Sequence, residues 1–198
     1  MSSRELHLYD FQLLEETLEE ELPAHKRHAL LKAMPNISLE VINKKKKALQ
    51  AKIKWLASVS ALIASVPIPG LSVCVDITML VTTIIQYKVT FGLDSKSLQR
   101  LSLSAGVSLE DLKAVMTSPL GTNIINKELI IKLLCLSASQ AVLMAAEEGS
   151  RFIPLFGIPL AMTASFCFTY RALNTFLDMI TEDAQRVFKK ALGLDTSV

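Results

Sequence analysis

Cysteine, glycine, proline and net charge are all in short supply in this chain, and each shortage excludes something. Three cysteines, Cys74, Cys135 and Cys167, lie far apart in apolar sequence. An odd number at that spacing fits neither a disulfide frame nor a zinc site and predicts buried, reduced thiols in a cytosolic protein. Glycine and proline number 7 each, too few for a turn-rich β protein. The formal charge of +2 is too small for a nucleic-acid surface. No cleavable signal, myristoylation glycine or prenylation cysteine is visible. Nor is there a Gly-x-x-x-x-Gly-Lys-Ser/Thr phosphate loop, a Gly-x-Gly-x-x-Gly turn or a Gly-x-Ser-x-Gly elbow. His25 and His28 share a helix face but have no third ligand nearby, so a solvated pair outweighs a metal site. The acids from Glu15 to Glu21 have no adjacent base. The sequence therefore offers no active site, metal site or cofactor site.

What it does offer is helix. Of 198 residues, 51% are hydrophobic and only 6% aromatic, and leucine, alanine, lysine and glutamate dominate. The length suits one domain able to bury most of its apolar surface. Asp10 caps a first helix, Pro23 opens a second that ends before Pro35, and Ser38 caps a long third. In that third helix Ile42, Leu49, Ile53, Leu56, Ser60 and Ile63 form one inward stripe. Further helices are predicted from near Ser72 to Phe91, with Gly92 as the stop, and over 95–105, capped by Asp94 and closed by Gly106. A short helix starts at Ser108, which has capping-box spacing, and ends before Ser118-Pro119-Leu120-Gly121. Another spans about 126–152. The last runs from about Pro159 to Leu192, with Leu173, Phe176, Leu177, Ile180, Ala184, Val187 and Phe188 inward. No segment alternates strictly, so no strand is expected. The fold class is all-α, a bundle of about seven or eight helices.

Two apolar stretches reverse at matching turns. One contains Pro67, Pro69 and Gly70; the other contains Pro154 and Gly157. Proline removes a donor and glycine supplies freedom for the reversal. Trp55 to Val75 and Phe152 to Tyr170 carry no charged side chain. A straight helix over the first stretch would reach about 30 Å, but Trp55 to Val66 gives only about 18 Å before the turn. Asp76 follows soon after, and a carboxylate at mid-bilayer costs roughly 2.5–3.5 kcal/mol. These hairpins therefore read as core corners of a soluble domain, compatible with reversible membrane contact.

Two polar features stand out. Lys44, Lys45, Lys46 and Lys47 sweep about 300° of a helix. They form a collar, with at least one stem lying along apolar surface and the ammoniums available to acidic lipid or a partner's acidic face. Asp76 is a lone acid in an apolar helix and needs a partner; Arg171 is the expected one.

Several segments resemble a known family. These are Leu8-Tyr9-Asp10-Phe11, Leu22-Pro23-Ala24-His25-Lys26-Arg27-His28, Met34-Pro35-Asn36-Ile37-Ser38 and Ile53-Lys54-Trp55-Leu56. Val66-Pro67-Ile68-Pro69-Gly70-Leu71, Phe91-Gly92-Leu93-Asp94 and Thr181-Glu182-Asp183-Ala184 continue the match. In this order they resemble the immunity-related GTPases (IRG), the interferon-inducible dynamin-like proteins of vertebrates, and look closest to the fish members. The resemblance covers the part after the GTPase domain. It implies that residues 1–11 are the remnant of the segment following that domain and that 12–198 form the helical domain. By the same resemblance GTP and magnesium belong upstream, so this chain is expected to be a non-catalytic fragment with no cofactor. Its expected partners are an attached or separate GTPase domain and other family members in homo- or hetero-oligomers. It would act in cell-autonomous defence, in the cytoplasm or peripherally on endomembranes or pathogen vacuoles. Some relatives target membranes through an amphipathic helix whose nearest positions here are 138–156. Arg151, Phe152 and Phe156 are then contact candidates, although Glu147 and Glu148 dilute the basic face.

Overall fold

A computed structural model describes residues 17, 23, 26, 36, 38–65, 71–136 and 157–194. Among these residues every regular element is helical and none is a strand, so the all-α expectation holds. The helices are α1 (Leu39–Ala64), α2 (Leu71–Thr90), α3 (Ser95–Ala105), α4 (Leu109–Ala114), α5 (Pro119–Thr122), α6 (Lys127–Leu136) and α7 (Gly157–Ala191).

Local chemistry accounts for most of their ends. An orphan amide in the first turn needs an acceptor, and short polar side chains supply it. Ser38 Oγ accepts from Val41 N at 3.1 Å, Asp94 from Ser97 N at 3.2 Å, and Ser108 from Asp111 N at 3.0 Å. Asn126 Oδ1 accepts from Leu129 N at 2.8 Å and starts α6. At the other end, α2 closes on Gly92 at φ 67. Leu93 N bonds Lys88 O at 2.9 Å and Gly92 N bonds Val89 O at 3.0 Å, a Schellman pair that glycine permits without a Cβ penalty. The element α5 was not expected. It is a single turn with Pro119 in its first turn and Ser118 as its cap. Helix α7 begins at Gly157, before the expected Pro159, which lies inside its first turn.

The chain forms two compact units. One takes residues 1–48, 87–123 and 179–198. Its core includes Ile42, Phe91, Leu93, Leu98, Leu112, Leu120, Ile180 and Val187. The other takes 49–86 and 124–178. Ile53, Leu80, Ile84, Ile130, Leu134, Phe168, Leu173 and Leu177 are buried there. All seven residues read as inward on α7 are buried. On α1 the stripe holds at Ile42, Leu49, Ile53 and Ser60, while Leu56 and Ile63 are only half-buried. Ala57, Ala61 and Ala64 are buried beside them instead, so the inward face centres on the small side chains. Residues 66–70 and 137–156, which contain the apexes of both predicted hairpins, lie outside the described residues. So do residues 1–11.

Candidate functional site

The four lysines of the run on α1 range from exposed to fully buried. Lys47 is exposed, Lys44 and Lys46 are half-buried, and Lys45 is 2% exposed. Four consecutive helical positions cannot all face water. Lys44 pairs with Glu40 one turn earlier at 3.6 Å. Lys45 Nζ donates to Asn36 Oδ1 and to the Thr90 carbonyl, both at 2.9 Å. Thr90 is the last residue of α2, so this ammonium serves a helix C-terminus, where carbonyls lack partners and positive charge is favoured. Asn36 Nδ2 donates to the neighbouring Phe91 carbonyl. Burial lowers the Lys45 pKa to about 8. Lys45 is thus an interior anchor and drops out as a lipid or partner contact.

A second charged device, missed by sequence reading, holds α5 at both ends. On α7, Asp183 is fully buried. Its Oδ1 accepts from Thr117 N at 3.0 Å and Ser118 N at 3.3 Å, and its Oδ2 accepts from the Ser118 hydroxyl. Arg186 Nη1 donates to the same carboxylate at 3.2 Å and to the Thr117 hydroxyl. At the opposite end Lys88 Nζ donates to the carbonyls of Leu120 at 3.1 Å, Gly121 at 2.8 Å and Asn123 at 3.2 Å. The acid sits at the positive end of the turn and the base at its negative end. Desolvation lowers the Lys88 pKa, opposed by the charges of Asp183 and Asp94. Gly121 approaches so closely that an added Cβ would overlap the Asp183 carboxylate.

In the other unit Asp76 is fully buried, as a lone acid must be only when satisfied. Its expected partner, Arg171, stands exposed on α7. The structure supplies hydroxyls instead: Ser60 on α1 donates to Oδ1, and Ser165 on α7 donates to Oδ2 at 3.1 Å. Thr169, one turn after Ser165, donates to Ser60 Oγ at 2.9 Å. In sequence Ser60 is one more position of the inward stripe, and a hydroxyl at such a core position is the available signal of a buried polar partner. The Ser60 and Ser165 hydroxyls each give the buried carboxylate a hydrogen bond that offsets part of its desolvation.

Each of these charged groups is hydrogen-bonded to a helix end or to neighbouring side chains. Among the described residues no group of three His, Cys, Asp or Glu side chains is placed to hold a metal, and no helix is long and apolar enough to cross a membrane. Cys167 is a free thiol and only half-buried. Arg151, Phe152, Phe156, Pro67, Pro69, Gly70 and Pro154 lie outside the described residues, as do His25 and His28.

A sequence model described as Interferon-inducible GTPase (IIGP) matches residues 1–191. Interferon-inducible GTPase 5 of Rattus norvegicus is 41% identical over 94% of this chain and 40% of its own length. Interferon-gamma-inducible GTPase 10 of Mus musculus is 33% identical over 100% of this chain and 45% of its own. For Interferon-inducible GTPase 1 of Mus musculus the identity is 30%, over 96% of this chain and 43% of its own. The chain thus spans less than half the length of the curated relatives it matches, and it belongs to the interferon-inducible GTPase family.

Proposed function

We propose that this chain is the helical, non-catalytic part of an interferon-inducible GTPase, relaying self-assembly and membrane association in cell-autonomous defence. Binding and hydrolysis of GTP with magnesium belong to the portion of the relatives that this chain does not match. One observation carries the reading. The chain aligns nearly end to end with less than half of proteins named GTPases, yet it lacks the glycine-rich loop whose backbone amides and lysine would cradle phosphates. The hydrogen bonds of Asp183, Lys88 and Lys45 to helix ends give each of them a structural role, in keeping with this reading. Its partners on this reading are a GTPase domain and other family members, and its place is the cytoplasm or the surface of endomembranes or pathogen vacuoles.

The purified chain should show no GTP turnover above buffer in the presence of magnesium, and measurable hydrolysis would refute the proposal. It should sediment with vesicles containing acidic lipid and be released by high salt or alkaline carbonate, as peripheral contact requires. Retention until detergent is added would favour an autonomous membrane-hairpin protein instead.

A further inference from the structure

Helix α1 has a second face that the core does not use. Opposite the buried line through Ile53, Ala57 and Ser60, Trp55 and Leu62 stand 67% and 62% exposed. They lie two turns apart on one line of the helix. Lys54 adjoins them and Lys52 flanks the face, and both are exposed. All four residues belong to the unit containing 49–86. Along this stretch of sequence the only charged side chains are lysines, because no aspartate or glutamate occurs between Glu40 and Asp76.

An exposed indole beside lysines and a large aliphatic group is a specific combination. Tryptophan prefers the boundary between apolar and aqueous phases, because its ring is apolar and its N–H needs a polar partner. Lysines alongside it meet anionic head groups. A purely acidic partner would leave Trp55 and Leu62 unused, and a purely apolar one would strand the ammoniums. A bilayer interface uses both. We propose that this outward face of α1 docks on an anionic lipid surface, with the helix lying in the plane of the membrane. Lys52 and Lys54 contact head groups, while Trp55 and Leu62 enter the boundary with the acyl chains over a length of about 10 Å. The inference rests on the membrane association proposed above and gives it an address on α1 rather than in 138–156.

Trp55 is the only tryptophan in the chain, so it reports on its own face without a label. The full chain would be titrated with vesicles of phosphatidylcholine alone and with about one third phosphatidylserine. With the acidic vesicles the emission should shift to the blue and acrylamide quenching should fall; with the neutral ones neither should change. Lys52→Glu with Lys54→Glu should weaken partitioning roughly tenfold or more. Trp55→Ala with Leu62→Ser should reduce sedimentation with acidic vesicles about tenfold. Both pairs sit at exposed positions, and unchanged helical circular dichroism would verify the fold. If the chain sediments while Trp55 stays open to acrylamide and both variants bind like the wild type, this inference falls and membrane association stands. If it binds no vesicle, both fall. A blue shift that appears with rising protein concentration in lipid-free buffer would assign the face to a second copy and overturn the lipid reading.

Discussion

A buried ammonium is costly to charge, and Lys45 carries that cost to serve two acceptors at the end of α2. With its pKa lowered to about 8, the folded state disfavours the proton relative to the unfolded chain. The penalty is complete below pH 8 and is relieved as the pH rises from there towards the ordinary lysine value. The wild type should therefore gain stability relative to Lys45→Met between pH 7.5 and pH 10, by about 1–2 kcal/mol. Urea denaturation followed by circular dichroism, comparing both proteins at each pH, checks this. A gap independent of pH would mean that the ammonium stays hydrated. The sequence made part of this legible, because four consecutive lysines on a helix force at least one inward. Which carbonyl that lysine reaches was not legible, since Thr90 lies 45 residues away.

At the scale of the element, α5 shows what a one-turn helix needs in order to persist. Four residues close too few internal bonds to offset their ordering, so the ends are held from outside by Asp183 and Lys88. Gly121 fits this arrangement because it has no side chain. A glycine-to-alanine change inside a helix normally stabilises by up to about 1 kcal/mol; here Gly121→Ala should destabilise by about 2–3 kcal/mol through overlap with a carboxylate that cannot move. Gly106→Ala makes the control. Gly106 adopts φ 67 but has open space around its Cβ position, so only backbone strain of about 1 kcal/mol is expected. Chemical denaturation midpoints of the two variants would rank them, and equal losses would show that Asp183 yields. Ser38, Asp94 and Ser108 were readable as caps because capping acts within three residues. Helix α5 was not, because its supports come from 32 and 65 positions away. The same non-locality misled the pairing of Asp76: charge suggested an arginine, whereas serine hydroxyls from α1 and α7 reach it.

For the molecule as a whole, apolar periodicity was enough to read an all-α chain and the inward side of α7, because burial repeats at the helical period. Division into two compact units was not readable, since α1, α2 and α7 each contribute residues to both and no linker or change in composition marks the boundary. The exposure of Trp55 is hidden in the sequence for a related reason. It opens a charge-free run that reads as interior, and only the phase of the helix turns it outward. That outward position has a practical corollary. An indole already surrounded by water in the native protein has little further to go when the chain unfolds. Intrinsic tryptophan emission should therefore stay nearly flat through a denaturation that abolishes the helical circular dichroism. Anyone judging this protein's integrity by that emission would find the folded and unfolded forms almost indistinguishable.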